Sequence, residues 1–149
     1  MIEIEEITRQ LEQIASDENF EYLAERLSES WIMSGVGAEA VEPIVKFMEA
    51  HPEIDFGAPG ALVHMIERPF GAESTERDSY EDVVLASIKR KPTMHTAWLL
   101  NRIINATSSS TKRDSFIQAF SDALGKQTLD EPTREQIMRF LEYQAARKQ

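Results

Sequence analysis

The chain has 149 residues, 42% of them hydrophobic and 28% charged, a balance that excludes a disordered polymer and suits a single globular domain over residues 1–149. It contains no cysteine, so disulfides, thiolate metal sites and cysteine nucleophiles are absent. The net charge of −10 is uneven: residues 1–55 hold 14 acidic and 3 basic side chains, a net of −11, and residues 56–149 net +1. A field of that sign repels phosphate backbones and anionic lipid heads and attracts basic surfaces, so neither nucleic acid nor membrane is an expected partner.

The N-terminal MIEIEEITRQ is acidic and amphipathic, unlike the basic and then apolar start of a secretory leader. No stretch approaches the ~18 apolar residues of a membrane span. The expected location is therefore the cytoplasm.

Apolar residues recur at helical spacing almost throughout. Ile4, Ile7, Leu11 and Ile14 predict an amphipathic helix over residues 2–15. Asp17 reads as the cap of a second, with Phe20, Leu23, Leu27 and Trp31 inward and Ser34-Gly35 as its end. A third runs over residues 38–50 with Val41, Ile44, Val45 and Met48 inward; Pro43 fits only a first turn, so the helix can start later than 38. His51-Pro52 stops it. EIDFGAPG is a turn-rich connector, and Pro59 suits the first position of a fourth helix carrying Leu62, Val63 and Ile66.

Residues 68–77 read as a polar loop, after which Asp78 or Ser79 caps a fifth helix with Tyr80, Val83, Val84 and Ile88. Lys89, Arg90 and Lys91 fall in its last turn, where cations favour the helix dipole. Pro92-Thr93 starts a sixth helix holding Trp98, Leu99, Arg102 and Ile103. ATSSST is a loop ending in a cap at Thr111, followed by a seventh helix with Phe116, Ile117, Phe120 and Leu124 that Gly125 closes. Asp130, with Pro132 just inside it, opens an eighth with Ile137, Phe140 and Leu141. The expected fold class is all-α: about eight helices in antiparallel hairpins that repeat every ~35–45 residues, as a degenerate HEAT-like α-solenoid or a compact bundle.

Chemical motifs are few. Among His51, His64 and His95, only His64 and Glu67 have helical ligand spacing, and one such pair is ordinarily a hydrogen-bonded or solvated one, so no metal site is expected. Gly35-Val-Gly37-Ala-Glu-Ala40 matches a loose dinucleotide fingerprint but follows a helical pattern instead of a strand; the glycines read as a helix connection. Asp55-Phe56-Gly57 spells a kinase metal-binding triplet in a chain with no glycine-rich loop and no HRD segment. The sequon at Asn105 matters only in a secreted protein. Neither cofactor nor catalytic residue is predicted, and the chain is expected not to be an enzyme.

The carboxylates carry the remaining signal. Glu18, Glu21, Glu25 and Glu29, at steps of three, four and four, predict an acidic stripe along the second helix. It is either a solvated face or a surface for a basic partner. Like charges at i, i+4 cost about 0.2–0.5 kcal/mol per pair, and Arg26 alone lies near to offset them. Trp31 and Trp98 are expected in the core. Asn101, Arg102 and Asn105 form either a structural polar network or a polar groove, with Arg102 stacking on Trp98 or pairing with Asp55 or Glu67. The candidate partner-binding set is Glu18, Glu21, Glu25, Glu29, Asp55 and Glu67.

Two tracts, DFGAPGALVHMIE (residues 55–67) and KPTMHTAWLLNRIIN (residues 91–105), together with the acidic helical N-terminus, resemble small helical immunity proteins of bacterial polymorphic and contact-dependent growth inhibition toxin systems. The resemblance covers about half the chain. It implies a protein that binds one cognate toxin domain, often a nuclease, and covers its active site or substrate groove. A nuclease needs a basic surface to hold phosphates, so an acidic inhibitor is physically apt. No individual residue carries over from the family, whose contact residues vary with the toxin. Two other classes fit the sequence: a helical-repeat adaptor without a toxin partner, and an all-helical enzyme with a pocket gathering several acids.

Overall fold

The computed structural model describes residues 2–68 and 75–147, with the backbone alone for residues 75–78. These residues form eight α-helices and no strand: α1 (Ile4–Ile14), α2 (Phe20–Met33), α3 (Val41–Ala50), α4 (Ala61–Glu67), α5 (Thr75–Arg90), α6 (Met94–Ala106), α7 (Ser110–Leu124) and α8 (Glu131–Arg147), with one 3₁₀ turn at Ala38–Ala40. The fold is all-α, as the periodicity predicts. None of these helices is long and apolar enough to cross a membrane. Packing divides the chain into two compact units, Met1–Val83 and Val84–Gln149, and the division falls within α5.

Most departures from the expected boundaries lie at helix starts, and each has a local cause. Asp17 does not cap α2. Its Oδ1 accepts the Asn19 N–H at 2.8 Å, closing a turn on itself, and α2 begins at Phe20. Pro59 precedes α4 by two residues, Gly60 serves as its cap position, and the Ala58–Pro59 bond is cis. At α7 the cap is Ser109, whose hydroxyl accepts the Lys112 N–H at 3.2 Å, two residues before the expected Thr111. Helix α5 starts at Thr75, so Asp78 and Ser79 lie inside it; of the expected loop over 68–77, residues 69–74 fall outside the described residues. The late start of α3 follows from Pro43, which lies in its first turn after the 3₁₀ residues. Asp130 caps α8 through the Thr133 N–H at 2.8 Å, and Thr93 with Thr96 forms a reciprocal capping box on α6.

In the first unit α1 packs on α3 and α2 on α4, while α1 also meets α2 and α3 meets α4. Successive hairpins therefore stack helix on equivalent helix. Trp31, 1% exposed, joins α2 to α1 through its indole N–H, which donates to Gln10 Oε1 at 2.7 Å. The buried line of α2 is Phe20, Ala24, Ser28 and Trp31, with Leu23 and Leu27 only half-buried. That line is rotated from the one the periodicity predicts. Phe20 stacks on Phe47 of α3 at 6.0 Å, and both rings meet Phe56 edge-on at 5.8 and 6.1 Å. Phe56, in a connector expected to be mere turn, is 2% exposed.

In the second unit α6, α7 and α8 pack mutually around Leu99, Leu100, Ile103, Phe116, Phe120 and Ile137. Trp98 is half-buried, unlike Trp31, and Arg102 lies over its ring with the guanidinium carbon 4.9 Å from the centroid. Gln144 of α8 is fully buried, and both hydrogens of its amide are spent on Asn101 and Asn105 of α6, each at 2.8 Å. Arg147 also donates to Asn105, and Arg113 donates to the Gln144 carbonyl at 3.0 Å. Asn101 and Asn105 thus belong to a structural network. Truncation at the fully buried Gln144 takes the donor from Asn101 Oδ1, while Asn105 Oδ1 keeps Arg147, so Gln144→Ala should destabilise the protein by about 1–3 kcal/mol. A lowered urea midpoint tests this; an unchanged one would mean that water replaces the amide without cost.

Candidate functional site

The rotation of the buried line on α2 decides where the acidic stripe lies. Each residue turns roughly 100° about a helix axis, so Glu21, Glu25 and Glu29 sit at the edge of the buried line Phe20, Ala24 and Ser28. They face α4. Together with Ser28, Ile32, His64, Met65, Glu67 and Arg68, they line an open groove of about 810 Å³ between α2 and α4. Glu18 lies in the turn before α2 and so does not extend the stripe along the helix. It lines a neighbouring depression with Asp17, Glu53, Asp55 and Glu21. Glu21 is common to both depressions. The six acidic residues singled out by the sequence thus lie along two adjoining hollows of the first unit, four of them in the groove.

The four groove carboxylates are not equivalent. Glu21 Oε1 accepts the backbone N–H of Ala61 at 2.7 Å, across 40 residues of sequence. Ala61 is the first residue of α4, and Gly60 before it has no side chain to serve as a cap, so Glu21 supplies the anionic acceptor that the helix end needs. Gly60 is required on steric grounds as well. A Cβ there would lie 1.9 Å from the Phe56 carbonyl oxygen and 2.9 Å from Glu21 Oε1. Asp55 is spent locally, its Oδ1 accepting the Gly57 N–H at 2.9 Å, where Gly57 has φ of +79°. Glu25 and Glu29, by contrast, make no hydrogen bond or ion pair among the described residues.

Several other carboxylates of the first unit are compensated, although Glu3, Glu5 and Glu39, like Glu25 and Glu29, make no side-chain hydrogen bond or ion pair among the described residues. Glu6 pairs with Arg9 and Glu42 with Lys46. His51 Nε2 lies 2.9 Å from Glu12 Oε1 and its Nδ1 3.2 Å from Glu53 Oε1. Ionised carboxylates only accept, so both ring nitrogens must donate, which is the hydrogen-bonding pattern of an imidazolium. Burial against Phe47 pulls the His51 pKa down, but the bonds and charges of Glu12 and Glu53 outweigh it, and the net displacement is upward from 6.5.

Sequence reasoning did not find the role of Glu21, nor Ile32, Met65 and Arg68 as groove residues. The Glu21–Ala61 bond is non-local and leaves no periodic trace. The one local hint is a helix start at Gly60-Ala61 that lacks a side-chain cap of its own. His64 and Glu67 do line one groove a turn apart, but no group of three or more potential metal ligands occurs among the described residues. No family model, curated protein or solved structure matches the chain.

Two stability outcomes follow. Glu21→Ala should cost about 0.5–2 kcal/mol, the usual price of a lost N-cap acceptor, whereas Glu25→Ala should cost nothing measurable; chemical denaturation of both variants compares them. For His51 the folded-state pKa is raised, so its stabilising contribution is complete below 6.5 and is lost as pH rises through the higher folded value. The destabilisation caused by His51→Gln should be larger at about pH 5.5 than at about pH 8.5; equal losses would show that the imidazolium contacts contribute nothing.

Proposed function

We propose that this protein is an immunity-type inhibitor that binds a basic, nuclease-type toxin domain and covers its active site or substrate groove. The observation that carries the reading is the α2–α4 groove, in which Glu25 and Glu29 make no hydrogen bond or ion pair among the described residues and stand with Glu21 and Glu67, four carboxylates against the single guanidinium of Arg68 on the lining. Such a rim matches the cationic surface that a nuclease turns towards phosphates. Charge of this sign also speeds encounter, towards about 10⁸–10⁹ M⁻¹s⁻¹ at low salt for steered pairs, which suits the interception of a lethal enzyme. The resemblance of residues 55–67 and 91–105 to immunity proteins supports the same reading, and residues 55–67 supply the α4 wall of the groove. On this reading the chain acts in the cytoplasm of the producing cell, by occlusion and without catalysis of its own.

The stacking of α1 on α3 and α2 on α4 favours a second reading, because helical-repeat arrays bury their cores in this way and serve as adaptors. The two readings separate in one experiment. Cells producing a toxin-like domain encoded beside this chain should survive only when the chain is co-produced, and the two purified proteins should form a complex that weakens as salt is raised. Absence of rescue by a correctly folded chain would sink the immunity reading and leave the adaptor.

A further inference from the structure

We infer that the α2–α4 groove receives an amphipathic basic helix of the partner, with two cations one turn apart set against Glu25 and Glu29. The inference rests on the reading of the chain as a binder of a basic protein. Along α2 the residues Tyr22, Glu25, Glu29 and Met33 follow steps of three, four and four, so they form one row on the helix surface. Its two ends are large exposed side chains, Tyr22 at 59% and Met33 at 88%, and the Tyr22 hydroxyl accepts a hydrogen bond from Arg26 one turn on at 3.3 Å. Tyrosine and methionine are enriched in protein interfaces. The middle of the row is the pair of carboxylates without a hydrogen bond or ion pair among the described residues. On the groove side, Ile32 and Met65 provide an apolar lining next to the acids.

The row therefore reads aromatic, acidic, acidic, apolar over the length of α2, and each class of occupant meets it differently. Nucleic acid and anionic lipid are repelled by the carboxylates. A polycation without an apolar side leaves the Tyr22 ring, Met33 and the half-buried Ile32 uncovered. A helix laid along the groove repeats the spacing of α2, so that side chains at i and i+4 reach Glu25 and Glu29 together while its other positions cover the apolar ends. Glu21 is not part of this recognition: its carboxylate is already engaged by the Ala61 N–H, and it acts as a positioning residue that holds α4 in place.

The test uses the full chain and a fluorescent amphipathic peptide with two arginines one turn apart and leucines on the adjoining face, read by anisotropy at physiological salt. A peptide of the same composition in scrambled order is the comparison. The ordered peptide should bind more tightly than the scrambled one. Glu25→Gln with Glu29→Gln should weaken it roughly tenfold, the scale expected of two partly exposed charge pairs. Glu3→Gln with Glu5→Gln removes the same charge at exposed positions of the first unit that do not line the groove and should leave affinity unchanged. Met33→Ala should weaken binding without altering its salt dependence. Equal binding of the scrambled peptide, or equal weakening by the Glu3 and Glu5 pair, would reduce the effect to general attraction by an acidic protein and overturn the inference. Circular dichroism on each variant verifies that the helices persist. Rescue from a toxin with no binding of the ordered peptide would overturn the helix-in-groove inference while leaving immunity intact. Binding without rescue would support the groove and remove the toxin.

Discussion

The first unit depends on the packing of three rings, Phe20, Phe47 and Phe56. Each buried phenyl group contributes about 1.5–3 kcal/mol, and each edge-on or stacked pair about 0.5–1.5 kcal/mol more. Phe56 draws the connector of residues 51–60 down onto α2 and α3, and the consequence is geometric. With Phe56 seated, its carbonyl comes so near Gly60 that no side chain fits there, and the first N–H of α4 arrives beside Glu21. The groove is thus the space left when an aromatic anchor and one carboxylate fix the entry of α4 against α2. These energies exceed the few tenths of a kcal/mol by which like charges one turn apart repel, so the fold can carry Glu25 and Glu29 without intramolecular compensation.

The two units use charge in opposite ways. In the second, cationic side chains are turned inward on helix ends and rings. Arg134 donates to the Leu124 carbonyl at the end of α7, Arg113 to the Gln144 carbonyl near the end of α8, and Arg102 lies over Trp98. Cations at carbonyl ends are favoured by the helix dipole, so these residues are structural. In the first unit, Arg9, Lys46 and His51 pair with Glu6, Glu42 and Glu12 of α1 and α3, whereas Glu25 and Glu29 on α2 are left facing solvent.

Much of this was legible in the sequence, and the illegible part has a physical pattern. The spacing of Ile7 and Leu11, of Tyr80, Val84 and Ile88, and of Phe116 and Phe120 reports one buried stripe per helix, which only a helix can satisfy. Helix starts were less legible, because Asp17 and Pro59 stabilise turns as readily as they begin helices, and tertiary packing chooses between the two. The acidic stripe was visible as spacing, but its neighbours were not. Glu67 and Glu21 meet the same groove through a fold that brings positions 40 and more residues apart together, and Phe56 looked like part of a turn because no periodic partner surrounds it. Burial set by a distant aromatic leaves no local signature.

The division of labour along α2 has a consequence for how such a protein can change. Glu21 is tied to α4, and Gly60 to the Phe56 carbonyl, so substitution at either disturbs the scaffold. Glu25 and Glu29 project from an exposed helix face with no hydrogen bond or ion pair among the described residues, so replacing them leaves the fold untouched and even relieves their mutual repulsion. Framework and lettering are thus written in different residues of the same helix. If the groove captures a partner as proposed, positions 25 and 29 can be exchanged one residue at a time, retuning the surface captured while stability stays constant.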